Sequence, residues 1–187
     1  MHIPHVEIDF PAVMDRARSM VAEARGELEQ SLRRRDGLRL FPAEARLEGR
    51  EGGWVCVRAG GDVILAERVM LDTGTRSLRP PVSGPDEVPL IDAESWISLR
   101  ELPHRLVFLG GGTIALETAQ TLCHSGAEVA IVQQGPHLTE HEDPDLAEEL
   151  RQAMLREGVE VHLDAKRSGR KRQERACTCT CTCAAAP

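Results

Sequence analysis

Tyrosine is absent from this sequence of 187 residues and aromatic residues make up only 3% of it, a low fraction. No apolar run approaches the roughly 20 residues needed to span a bilayer, and the opening MHIPHVEIDF lacks the basic and then apolar layout of a secretory signal. The expectation is a cytoplasmic chain with no membrane partner. Thiols are scarce in the body: four of the six cysteines crowd the C-terminal end, while Cys56 and Cys123 sit in apolar settings typical of reduced, buried thiols. That argues against a disulfide scaffold. Positive charge is also short. The net charge is −7, and residues 166–175 alone hold six basic residues against one acidic, leaving 17 basic and 29 acidic residues elsewhere. A body so acidic argues against nucleic acid as a partner. What remains, 41% apolar and 28% charged, is ordinary for a globular protein with one good core or two small ones.

The richest stretch is RLVFLGGGTIALETAQTLCHSGAEVAIVQ, Arg105 to Gln133. Leu106 to Leu109 reads as a strand buried on both faces. Gly110, Gly111 and Gly112 follow at once, and Gly110, Gly112 and Ala115 keep the spacing G-x-G-x-x-A at the mouth of a helix continued by Ile114, Thr118 and Leu122. Gly110 allows a sharp turn, Gly112 clears space for a pyrophosphate, and small Ala115 lets helix and strand pack closely. The first amides of that helix, from Gly111 through Thr113, Ile114 and Ala115, then face the anion with the positive end of the dipole. Ser125-Gly126 ends the helix and Glu128 to Val132 is a second strand, closing a βαβ unit. The second strand runs into Gln133-Gln134, where a carboxylate would grip a ribose 2′-hydroxyl and an arginine would suit a 2′-phosphate. Glutamine does neither decisively, so NADH and NADPH both stay open.

In chain order, apolar residues at Val13, Met14, Ala17, Met20, Val21, Ala24, Leu28 and Leu32 predict a long amphipathic helix from Phe10, with Asp9 as N-cap and Pro11 in its first turn. Arg33-Arg34-Arg35 complements its C-terminal dipole and Asp36-Gly37 stops it. A meander of short strands is expected at Leu38–Phe41, Ala45–Leu47, Trp54–Arg58 and Val63–Leu71. A proline-rich connector with Pro80, Pro81, Pro85, Pro89 and Pro103 reads as a domain crossing, within which Asp92 caps a short helix through Trp96 to Leu99. Beyond the glycine turn, Asp143-Pro144 opens another helix with Leu146, Leu150 and Met154 on one face, and Val159 to Leu163 is a third strand. The order β, α, β, α, β is one mononucleotide-binding half of a doubly wound sheet.

After Ala165 the periodicity stops. Cys177, Cys179, Cys181 and Cys183 alternate with threonine rather than forming paired C-x₂₋₄-C knuckles, so a disordered low-complexity tail is expected there and no metal. His137-Leu138-Thr139-Glu140-His141 fits the letters H-x-x-E-H, but it follows Gly135-Pro136 in a connection, not a helix that would align both histidines. No metal site is expected there either.

Four stretches in this order, IDFPAVMDRAR, LDTGTRSLRPPVSG, LPHRLVFLGGGTIALETAQ and EDPDLAEELRQAMLREGVEVHL, resemble the pyridine nucleotide-disulfide oxidoreductases, especially the mercuric reductase and dihydrolipoamide dehydrogenase branch. The resemblance covers most of residues 7 to 165. It implies an α/β protein with part of a two-domain FAD/NAD(P)-binding fold: a Rossmann-like βαβαβ half and a small antiparallel meander. Residues 1–78 would be a remnant of the FAD domain, 79–103 a connector, 104–165 the NAD(P)-binding half-domain and 166–187 the tail. It further implies FAD and NAD(P)H as cofactors, Thr73 and Gly74 against FAD, and Glu117 as a carboxylate where flavin and nicotinamide meet. Ser77 departs from the proline common at its position. The family's FAD glycine turn and C-x₄-C redox pair would precede Met1, its dimer-forming interface domain would follow the last strand, and the lysine partner of Glu117 is missing. The expected function is therefore hydride transfer from NAD(P)H to FAD and on to a disulfide or metal, carried by an incomplete fragment. The alternatives are a non-catalytic nucleotide-binding or interaction module paired with a complementing chain, a homodimer, or the inactive product of a disrupted gene. With its first strand and helix missing, the FAD-side remnant is expected to expose apolar surface, and residues 104–164 to be the better-folded half.

Overall fold

Local pattern and long-range packing agree best around two parallel strands, and the computed structural model builds outward from them. It describes residues 7–77, 89–165 and the backbone of 176–180. The prolines at 80, 81 and 85 and the basic run 166–175 lie outside the described residues.

Strand β5 (Arg105–Leu109), helix α2 (Thr113–His124), strand β6 (Glu128–Val132), helix α3 (Pro144–Arg156) and strand β7 (Glu160–His162) follow one another as the sequence predicts. β5 pairs parallel with β6 in register Arg105↔Glu128 to Leu109↔Val132, and β6 with β7. The expectation that β5 is buried on both faces holds for one face only: Leu106 and Phe108 are wholly buried, while Arg105, Val107 and Leu109 are half-buried. α3 buries Ala147 and Met154, with Leu150 partly buried; Leu146, expected on that face, is exposed.

On the other side of β5 the sheet contains two strands that periodicity missed. β4 (Leu90–Asp92) lies in the proline-rich connector, and β8 (Ala176–Thr180) comes from the Cys-Thr stretch expected to be disordered. The sheet order among the described residues is β4-β8-β5-β6-β7, with β8 parallel to both neighbours. Threonine is β-branched and suits extended backbone, but cysteine alternating with threonine shows no contrast between apolar and polar faces. Asp92 accepts the amides of Glu94 and Ser95 through Oδ1 (3.2 and 2.8 Å), and the helix expected after it is a single 3₁₀ turn, Trp96–Ser98.

Helix α1 (Phe10–Arg33) has the length predicted, and Asp9 caps it by accepting the Ala12 amide at 3.1 Å. Its apolar stripe is only partly used. Phe10 and Met14 join the core of Leu106, Phe108, Leu122 and Ile131, whereas Val13, Met20, Val21 and Leu28 are exposed. Arg18 ties the same end down by donating to the carbonyls of Ile97 (2.8 Å) and Leu99 (3.4 Å).

By packing, the chain divides into one unit of residues 1–19 with 76–187 and another of 20–75, with one boundary inside α1 and the other between Thr75 and Arg76. The second unit holds the rest of α1 and an antiparallel meander of β1 (Ala45–Glu51), β2 (Trp54–Ala59) and β3 (Asp62–Ala66). A bulge falls between Leu47 and Gly49. Two strand expectations fail here. Leu38–Phe41 is irregular, turned by Pro42 and by the Ala43 amide bonding to the Phe41 carbonyl (2.8 Å). β3 stops at Ala66, which pairs with Val55 one residue from the start of β2, so Arg68 to Leu71 find no ladder.

Candidate functional site

The strand order reverses at β5, which has β6 on one side and β8 on the other. In open parallel sheets the crevice beyond the carboxyl end of such a strand is where ligands bind. Here that end is Gly110. Its φ of +112° is a conformation for which glycine is suited, and its amide prolongs the ladder by donating to the Val132 carbonyl at 2.9 Å. Gly111 is buried and committed on every side. Its amide donates to Gln133 Oε1 (2.9 Å), its carbonyl accepts the Thr139 amide (2.8 Å), and a Cβ there would stand 2.5 Å from Leu138 Cδ2. Gly112 is the N-cap of α2, with extended backbone and no side chain capping the helix. The amides of Gly112, Thr113 and Ile114 have no intrahelical acceptor, because those carbonyls would lie before the helix begins. Thr113 and Ile114 are exposed, and Ala115, 1% exposed, packs into the core. The result is a rigid turn presenting unpaired donors at the positive end of a twelve-residue helix, which suits an anion.

Gln133 directly follows β6. It is 8% exposed and both ends of its amide are engaged: Oε1 with Gly111, and Nε2 donating to Glu140 Oε1 at 2.7 Å. A side chain held at both ends behind the turn braces it rather than gripping a ribose. Gln134 beside it is exposed.

Sequence reasoning missed the loop that completes the site. Leu138 is wholly buried beneath Gly111; Thr139 adopts φ +48°, with its Oγ1 buried and without a hydrogen-bond partner among the described residues. Glu140 holds the far end of the Gln133 amide. All three belong to the H-x-x-E-H letters, whose histidines, His137 and His141, are exposed. The signal available was Gly135-Pro136, which marks a turn but does not say what the turn returns to.

Glu117 is exposed on α2, with its carbonyl accepting the Thr121 hydroxyl at 2.8 Å. Thr73 and Gly74 lie in the other unit, in an exposed irregular segment where Gly74 has φ +71°. Cys56 on β2 and Cys123 on α2 are free thiols. Burial and the nearby Glu157 carboxylate push the Cys123 thiol up, away from its reactive thiolate form.

Against known protein families, residues 5–183 match the pyridine nucleotide-disulphide oxidoreductases. A mercuric reductase of Bacillus cereus is 27% identical over 161 residues, which is 86% of this chain and 25% of that protein. A dihydrolipoyl dehydrogenase of Bacillus subtilis is 30% identical over 107 residues, 57% of this chain and 23% of that one. The structure of the HOCl-induced flavoprotein disulfide reductase RclA from Escherichia coli has the same fold, with a TM-score of 0.77 and 22% identity over 96% of this chain and 43% of that one. The chain thus spans about a quarter of the length of these two curated relatives. Proteins of this kind use FAD and NAD(P)H. From the turn at Gly110, the parallel sheet around it and a match across nearly its whole length, the chain belongs to the pyridine nucleotide-disulphide oxidoreductase family.

Proposed function

We propose that this chain binds NAD(P)H at the β5–α2 turn and serves as the electron-input part of a flavin-dependent oxidoreductase. The observation that carries the reading is the uncapped N-terminus of α2 above a buried Gly111. The residues fit a dinucleotide: Gly110 sets the turn, Gly112, Thr113 and Ile114 offer amides to the pyrophosphate, and Ala115 keeps helix and strand close. Bound NAD(P)H supplies a hydride, which in this family's chemistry passes to FAD and then to a disulfide or metal. Glu117, on the same helix and open to solvent, is the carboxylate assigned to the nicotinamide side.

The residues fit FAD less well. Thr73 and Gly74 are the residues the resemblance gives it, but they are exposed and carry no glycine turn leading into a helix. None of the six cysteines stands in C-x₄-C spacing, which favours a second reading: a nucleotide-binding module that works with a complementing chain carrying the flavin and thiols. Among the described residues no helix is long and apolar enough to cross a membrane, and the cytoplasm is the proposed location.

Calorimetric titration of the purified chain with NADH and NADPH, with a visible absorbance scan for flavin, tests this. Affinity for either nucleotide supports the input role. Yellow protein favours the complete reading and colourless protein that binds nucleotide favours the module. Binding of neither nucleotide would sink both.

A further inference from the structure

The Gln133 amide bridges Gly111 and Glu140, and that bridge fixes where the Glu140 carboxylate lies. Oε1 is held by Gln133 Nε2 at 2.7 Å, and Gly135 makes room for it, since a Cβ at that position would collide with Oε1. Oε2 has no partner among the described residues and the side chain is exposed. A carboxylate therefore stands at the end of β6, tethered to the glycine turn through one amide, with one oxygen free to accept hydrogen bonds. The strand-end position that would ordinarily supply this carboxylate is Gln133 itself, whose amide is consumed by the brace.

Resting on the nucleotide-binding reading above, we infer that Glu140 is the specificity-determining residue of the site: its free oxygen accepts the hydroxyls of the adenosine ribose, selecting NADH over NADPH. A carboxylate accepts from the two hydroxyls of an unmodified ribose and repels a 2′-phosphate at the same place. The surrounding segment adds to that repulsion. Residues 133–143 carry Glu140, Glu142 and Asp143 and no lysine or arginine that could pair with a phosphate. The exposed His137 and His141 flank Glu140 in this segment.

The test is calorimetric titration of the full chain with NADH and NADPH, repeated with AMP and its 2′-phosphorylated form to isolate the adenosine end. The variants are Glu140→Gln, which keeps an acceptor for Gln133 but removes the charge, and Gly135→Ala, whose methyl displaces the carboxylate of Glu140 without altering its chemistry. The unsubstituted chain should favour NADH by about tenfold, the worth of one charge-assisted hydrogen bond. Both variants should bring the two affinities within about threefold of each other, chiefly by weakening NADH. Equal affinities in the unsubstituted chain, a preference for NADPH, or variants that weaken both nucleotides alike would overturn the assignment while leaving the nucleotide site standing. Binding of neither nucleotide overturns the assignment together with the reading it rests on.

Discussion

The two units use apolar residues differently. In the unit around β5, Leu106, Phe108, Ala119, Leu122, Ile131 and Leu138 are wholly buried. In the meander unit Ala59 is the one buried apolar side chain among the described residues, while Leu47, Trp54, Val63 and Leu65 are exposed on its strands and Met70 on the segment beyond. Apolar composition therefore does not make a core: the first unit has a parallel sheet covered by helices, and the second a three-stranded sheet whose side chains find little of their own unit to pack on. Stability therefore resides chiefly in the first unit, which also holds the glycine turn.

The largest effect expected from that contrast is at the centre of the first unit. Phe108→Ala should cost about 3–5 kcal/mol, through lost burial and the cavity left behind. Leu65→Ala on β3 should cost about 0.5 kcal/mol, as for an exposed site. Urea unfolding followed by Trp96 fluorescence for the first and by Trp54 fluorescence for the second, each with the other tryptophan replaced by phenylalanine, measures both; similar costs would erase the distinction between the units. Next, Gly111→Ala forces a methyl against Leu138 and should cost about 1–3 kcal/mol, partly relieved by Leu138→Ala in a double-mutant cycle. Additive effects would mean the two residues do not meet. Gln133→Leu strips the partner from the buried Gly111 amide, for about 1–3 kcal/mol by thermal unfolding, with faster hydrogen exchange at Gly111. Asp9→Ala removes the cap of α1 and should cost about 1 kcal/mol; an unchanged melting temperature would show that Phe10 and Met14 hold that end unaided.

The smallest effect concerns pH. Hydrogen bonds from Arg151 and Gln152 hold the Glu148 carboxyl down at about 2, from an ordinary 4.5. A depressed carboxylate contributes stability that is fully present above the unfolded value and is lost as pH falls from about 4.5 towards 2. Because the pair is on the surface, the contribution is slight and screened by salt. Comparing Glu148→Gln with the unsubstituted chain in melts across that range should show a shallower decline in the variant.

How much was legible in the sequence follows the same division. β5, α2 and β6 were readable because strand, glycines and helix are consecutive and each constrains the next. The length of α1 was readable from its spacing, but its burial was not, since periodicity marks a stripe without saying how much of it is covered. Val63 to Leu71 looked like one strand because a run's composition does not reveal where its partner ends. β8 was hidden because cysteine alternating with threonine shows no apolar face. In the site, Gly110, Gly112 and Ala115 were marked by spacing, whereas Glu140 meets Gln133 only because the chain turns back at Gly135, a tertiary event with no periodic trace.

The commitments of Gly111 bear on how fast a ligand can be captured. With its amide, carbonyl and open face all engaged by the fold, the turn has its final shape before any anion arrives. Capture then needs no slow rearrangement: stopped-flow traces should be single exponentials whose rate rises linearly with nucleotide concentration, without the plateau that a loop waiting to order would impose. Discrimination between nucleotides would then lie in how long each stays.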